Sequence, residues 1–275
     1  MSSDPSQQPA PDEADAAAKA FRRQVKRRSR RAFIGLGLGG LVGALGWRWL
    51  LHTPLREGLP GSFRKGLELN EQLARATFRP DRLAPEFPKS HAEKPRFNGK
   101  IGLRPALDAA TWRLRVRGYA PGAERVFSLA DIQALPRTEM TVEFKCIEGW
   151  SRIITFAGAR LSDFLARYPL ATASGRAIAA GASLPADVAP YVSLATPDRQ
   201  YYVGLDIESA LHPQTLLCYE MNGAPLTPRH GAPLRLVTPL KYGVKHIKRI
   251  GTIVFTDQRP ADYWAERGYD WYAGH

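Results

Sequence analysis

The sequence predicts an α+β, β-rich mixed domain preceded by an N-terminal signal or anchor helix. Short runs of alternating or β-branched residues recur between positions 111 and 257, with only a few short helical patterns among them. The 22 Pro and 24 Gly leave little room for long regular helices. One uncharged stretch, residues 32–47, stands apart behind a basic flank.

Taken in order, residues 1–20 are polar and Ala/Pro-rich, and disorder is expected there. They belong to a basic segment, 1–31, that ends in "RRSRR". Segment 32–51 follows, and it is marginal for a span, because a bilayer core needs about 20 apolar residues. Arg48 interrupts it but would snorkel to an interface beside Trp47 and Trp49. "SRRAFIG", 29–35, is similar to the twin-arginine export signal; the alternative is a flank obeying the positive-inside rule. Both readings leave residues 52–275 on the outer, periplasmic or extracytoplasmic, face. No good small-x-small cleavage site follows, so the expected contact with the membrane is an uncleaved anchor at 32–51.

Charge narrows the partners. The net charge is +13, of which residues 32–275 carry +9. Nucleic acid is the first partner such a balance brings to mind. Export argues against it, so no nucleic-acid partner is expected, and an anionic small molecule or membrane surface remains.

Residues 52–100, rich in Pro and charge, read as a tether or wrapping segment. Within it, 66–78 predicts a short amphipathic helix with Leu67, Leu69, Leu73 and Phe78 as its apolar set. The compact domain is placed at 101–275. "TWRLRVRG" alternates as a half-buried strand. "SLADIQALP", 128–136, reads as a helix capped by Ser128, with Asp131 three residues on. Strand 138–146 follows, then helix 158–169, hairpin 191–196/201–206, helix 205–213 and strands 215–223 and 246–257.

Cys146, in "VEFKCIEGWS", is one of two cysteines. Three readings stand open. It is a small buried hydrophobe, or it forms a disulfide with Cys218, which an exported location favours. In the third it is a thiolate, acting as a nucleophile with His230 or His246 as base, or as a metal ligand. There is no CxxC or HExxH, which argues against zinc. A lone thiolate suits a metal held mainly by an organic cofactor. Residues 221–250 carry Arg229, His230, Arg235, Lys241, Lys245, His246, Lys248 and Arg249 on Gly/Pro-kinked loops. That suits a phosphate-bearing ligand; the plainer alternative is a solvated cationic face.

At this point the chain resembles the sulfite oxidase-like molybdopterin family. It is closer to the branch of the periplasmic protein-methionine-sulfoxide reductase catalytic subunit. "KCIEGWS", residues 211–248 and "ERGYDWYAG" (266–274) carry the resemblance, in the family's order. It implies a sulfite-oxidase-like molybdopterin-binding fold and a molybdenum–molybdopterin cofactor with Cys146 as the metal's thiolate. It implies cofactor contacts at Thr196, His230, Arg235, His246, Ile247 and Lys248. The branch also has an N-terminal Asn on the cofactor; Ser90 and His91 stand as candidates for that wall. Trp150 is expected in the core, with Glu148 pairing a loop amide or a base. The implied activity is two-electron oxygen-atom transfer on a small or protein-bound S- or N-oxide, or on a sulfite-like substrate. With no haem-attachment motif, electrons would pass through a partner, a membrane b-type cytochrome or a cytochrome c. The rival readings are a cysteine-dependent hydrolase or transferase and a membrane-tethered, non-catalytic binding module.

Overall fold

The computed structural model describes residues 11–104, 107–178 and 183–275. Residues 1–10, half of the stretch expected to be disordered, lie outside the described residues. Residues 11–20 do not follow that expectation: helix α1 runs over Pro11–Leu51, and its Ala-rich start favours helix intrinsically.

The chain divides into two compact units. The first comprises residues 1–55 and 60–63 and is essentially α1. It contains Lys19–Leu51, a helix long and apolar enough to cross a membrane by length and composition, a test that signal sequences also pass. Phe33, Trp47 and Trp49 are exposed on it. Ser62 Oγ donates to Leu50 O at 2.8 Å, satisfying a carbonyl at the helix end.

The second unit comprises residues 56–59 and 64–275. A short hairpin, β1 (Leu55–Arg56) and β2 (Leu59–Pro60), precedes α2 (Gly61–Ala76). Then come β3 (Leu114–Arg117), β4 (Glu124–Phe127), α3 (Leu129–Gln133), β5 (Arg137–Lys145), β6 (Ser151–Arg160) and α4 (Leu161–Arg167). β7 (Tyr191–Ala195), β8 (Tyr202–Asp206), α5 (Ile207–Ala210), β9 (Leu216–Met221), β10 (Ala224–Pro225), β11 (Arg235–Val237) and β12 (Thr252–Thr256) complete it. One sheet has the order β10-β9-β6-β5, with β11 also on β9; the other runs β4-β3-β12-β7-β8. The mixed, β-rich class expected from the sequence is what forms.

Both sheets contribute to one apolar cluster. Leu114, Val116, Val192, Leu194, Ile253 and Phe255 come from the second sheet; Leu217, Tyr219 and Leu236 come from the first. Alternation along β9 sends Cys218 the other way, into a second cluster with Val142, Ile154 and Phe156. The segment 84–93 runs along that outer face: Phe87 N–H donates to Thr141 O, and Glu93 N–H to Ile153 O.

Local chemistry explains the elements that form as expected. α3 has a complete capping box between Ser128 and Asp131. Asp206 caps α5 by accepting from Ser209 N–H. Other expectations need correction. β6 was not anticipated, and it takes residues 158–160 from the expected helix 158–169. Only 252–256 of the expected strand 246–257 is strand: Arg249 takes a left-handed φ of 56°, which breaks the extended run before it. In α2 the expected apolar set is only partly covered: Leu67, and Phe78 just beyond the helix, are half-buried, Leu69 and Leu73 are exposed, and Arg64 and Glu71 are buried. These two acquire partners, Arg64 among main-chain carbonyls and Glu71 with Arg259 at 2.9 Å.

Candidate active site

β5 and β6 are joined by residues 146–150, which close a tight turn. Cys146 N–H donates to Trp150 O at 2.8 Å, and Gly149 N–H to Cys146 O at 3.1 Å. Pairing on both sides of the turn, Lys145 with Ser151 and then along the whole ladder, fixes where Cys146 stands. It lines a solvent-open cleft with about 1100 Å³ of empty space. Phe144, Ile154 and Phe156 from the same hairpin also line it.

One wall is cationic. Arg235 enters on β11, opposite Cys218 of β9, and is only 3% exposed. Its guanidinium lies over the rings of Phe144 (6.0 Å) and Phe156 (5.7 Å). Nη1 and Nη2 make long bonds, 3.3 and 3.4 Å, to His230 O and His246 O, and Nε is buried without a partner. Burial lowers its pKa. His246 Nε2 lies 2.9 Å from Thr238 O and 3.1 Å from Lys241 O, so that nitrogen carries the proton. Nδ1 is then an acceptor, buried and unpartnered. Burial and Arg235 push His246 down to about 3, leaving it neutral.

Lys248 completes this wall. Its ammonium donates to Asn98 O and Gly99 O and lies 4.9 Å above the Phe97 ring. Burial, then Arg235, push it down to about 7. Gly231 makes the approach possible. Its φ is +99°, and a Cβ there would lie 2.7 Å from Lys248 Cβ. His230 is lowered by burial and then by Arg235, Lys248 and Arg229. The wall thus concentrates positive charge out of water, a setting that an anion would stabilise.

The cleft also has an aromatic lining: Trp150, Tyr201, Trp264 and Tyr269. Trp150 is therefore a cleft residue, not the core residue expected. Its indole N–H donates to Glu148 at 3.0 Å, and Arg96 covers its ring at 4.7 Å. Arg152 also lines the cleft and pairs with Glu93 at 3.3 Å.

Of the residues singled out in the sequence, Cys146, His230, Arg235, His246 and Lys248 share this cleft. Four others are not among its lining residues. Thr196 is fully buried in the β7–β8 turn, where Oγ1 donates to Asp198 at 2.6 Å. Ile247 is a core side chain, and its N–H and C=O are bonded to Lys245 and Leu236. Ser90 and His91 are exposed on the turn Lys89–His91. Asn98 comes nearer, with Nδ2 at 3.7 Å from Cys146 Sγ. It escaped notice because it lies in the supposed tether, although its Asn-Gly dipeptide marks a turn. The basic run also splits. Lys241 and Lys245 are buried ion-pair partners of Asp206 (3.4 Å) and Asp262 (2.6 Å), not ligand-facing cations or a solvated face. Cys146 and Cys218 are both free, which removes the disulfide reading.

Comparison with known proteins decides among the remaining chemistries. The model of the oxidoreductase molybdopterin binding domain matches residues 101–264. The chain belongs to that family. It is a molybdenum-dependent oxidoreductase with a molybdenum–molybdopterin cofactor. An Azospira oryzae protein, provisionally named the YedZ1 subunit of a protein-methionine-sulfoxide reductase, is 32% identical over 94% of this chain and 92% of its own length. The protein-methionine-sulfoxide reductase catalytic subunit of Xanthomonas campestris is 34% identical over 58% of this chain. That of Campylobacter jejuni is 32% identical over 63%. The chain spans 49% and 59% of the lengths of these two subunits. Among solved structures, the sulfane dehydrogenase SoxCD from Paracoccus pantotrophus aligns with a TM-score of 0.44 at 20% identity, over 56% of this chain and 40% of that one.

The cleft of this family member fits the group its family carries. Among the described residues no cluster of three His, Cys, Asp or Glu could hold a metal by itself. A metal at Cys146 would take its other ligands from a bound organic molecule. Arg235 Nε offers a donor to an anionic oxygen and His246 Nδ1 an acceptor to a ring N–H.

Proposed function

We propose that this chain is the catalytic subunit of an exported, membrane-anchored reductase of S-oxides, including methionine sulfoxide in proteins. The observation that carries the reading is the pairing of one soft thiol, Cys146, with buried, anion-seeking donors in the same cleft. When bound, the molybdenum–pterin group supplies two-electron oxygen-atom transfer. Cys146 would be its protein thiolate. Arg235 Nε and Lys248 would hold the phosphate, and His246 Nδ1 would orient the pterin. Asn98 would fix the Cys146 sulfur from the rim.

Substrate would enter against Trp150, Trp264 and Tyr269. Aromatic faces suit a neutral thioether-like group and exclude water from the reacting oxygen. A sulfite-like dianion would need free cations on that side. Arg152 is instead paired with Glu93, and Arg96 is stacked over the Trp150 ring. The names of the relatives support the sulfoxide direction. They also support a second subunit delivering electrons; a membrane b-type cytochrome or a cytochrome c would serve. α1, with its basic flank and its exposed Phe33, Trp47 and Trp49, supports the anchor and the twin-arginine route.

The test is a pair of assays on the purified, cofactor-loaded protein. With reduced viologen as electron donor it should reduce methionine sulfoxide, free and in an oxidised protein. With ferricyanide as acceptor it should oxidise sulfite poorly. The opposite ranking would overturn the proposal.

A further inference from the structure

The aromatic part of the cleft is held by a residue at least 200 positions away in sequence. Arg64, in α2, is 1% exposed. Its guanidinium donates to Glu57 O and Ala265 O, both at 2.7 Å, and to Tyr269 O at 2.9 Å. Nε lies 3.3 Å from the Glu57 carboxylate. Two of these carbonyls, Ala265 O and Tyr269 O, belong to the turn that carries Trp264 and Tyr269 into the cleft. Asp262 starts that turn, accepting from Trp264 and Ala265 N–H at 3.1 Å, and Tyr269 N–H closes it onto Trp264 O at 3.0 Å. The Trp264 and Tyr269 rings meet edge-on at 5.2 Å.

Carbonyls at the end of a short helical turn are left partly unsatisfied; here Ala265 O also accepts from Gly268 N–H at 3.1 Å. A guanidinium can satisfy several at once in a fixed plane, which an ammonium cannot. A second contact locks the same turn. Glu57 and Gly58 both have positive φ, 48° and 76°, and a Cβ on Gly58 would lie 3.0 Å from Gly268 N. Arg64, Glu57 and 265–269 all lie outside the family match at 101–264. The cationic wall is built from 230–248; Lys245 of that segment reaches the start of the turn at Asp262, 2.6 Å away, whereas Arg64 binds its far end at Ala265 O and Tyr269 O.

We propose that Arg64 is a positioning residue that fixes Trp264 and Tyr269 as the substrate-facing wall of the cleft. It sets substrate affinity while leaving cofactor loading unchanged. This rests on the reading of the cleft as an S-oxide reductase site. Displacements of about 1 Å in such a wall are enough to cost up to about 100-fold.

The experiment compares loaded wild type, Arg64→Gln, Arg64→Lys and Tyr269→Ala. It reads molybdenum and pterin content, KM and kcat for methionine sulfoxide, and amide exchange of 264–269. Arg64→Gln should keep full cofactor, raise KM about 10- to 100-fold with a much smaller change in kcat, and speed exchange in 264–269. Arg64→Lys should recover part of the KM, and Tyr269→Ala should reproduce the rise directly. Unchanged KM despite faster exchange would overturn the proposal, as would cofactor loss in step with activity. Should Arg64→Gln fail to fold, Glu57→Gln takes its place with a smaller KM rise expected, and no rise counts against the clamp. A wild type that reduces no S-oxide would instead sink the proposed function. Exchange in 264–269 then decides the clamp alone: faster exchange in Arg64→Gln supports it and unchanged exchange refutes it.

Discussion

At the scale of single residues, the telling contrast is between Arg235 and Lys241. Both are cations of one basic run, and both are buried. Lys241 has Asp206 at 3.4 Å, whereas Arg235 Nε has no partner. Only the second arrangement is completed by an incoming anion. Arg235→Ala should therefore lose about 2–5 kcal/mol of cofactor affinity and purify with little molybdenum. Arg125→Ala, on an exposed position of β4, should keep full molybdenum by metal analysis. Lys248 adds a pH dependence. Its pKa in the cofactor-free chain is pushed down to about 7 by burial and Arg235. A phosphate beside it favours the charged form, so the bound pKa is the higher one. Affinity is then complete below pH 7 and falls as pH rises, by at most about tenfold per unit, until the bound pKa is passed. Reconstitution of apoprotein between pH 6 and 9 should show this, and Lys248→Met should flatten it.

At the scale of elements, the site depends on a hairpin and on a loop anchored at buried ion pairs. The β5 end of the hairpin was legible, because strand residues run straight into Cys146. The β6 half was not. It is buried on both faces for most of its length, so "SRIITFAGAR" shows no clean alternation to read. α3 was legible from its capping box, a purely local signal. The face of α2 was not, since the burial of Arg64 and Glu71 is decided by partners at 265–269 and 259. Likewise "LKYGVKHIK" looks uniformly basic, and only the fold assigns Lys241 and Lys245 to Asp206 and Asp262. Their role is to hold the loop bearing His246 and Lys248. Lys241→Ala strands Asp206, 1% exposed, and should cost about 3–5 kcal/mol in denaturant unfolding of the loaded protein. Lys241→Met with Asp206→Leu should recover much of that loss.

At the scale of the whole molecule, the question is how a loaded oxidoreductase reaches its place of work. "SRRAFIG", 29–35, lies within α1, and the twin-arginine route carries proteins already folded around their cofactors. Changing Arg30 and Arg31 to Lys together keeps the charge but should strand loaded, active protein inside the cell, as fractionation would show. Export of the Lys–Lys form at the normal rate would reduce the motif to a positive-inside flank. In the proposed function all of this machinery would serve one bond, between the Cys146 sulfur and the metal. Molybdenum K-edge absorption on purified wild type and Cys146→Ser tests it most directly. Both proteins should retain molybdenum, and the serine form should have one sulfur scatterer fewer around the metal and no reductase activity. Equal sulfur counts at equal molybdenum content would contradict it.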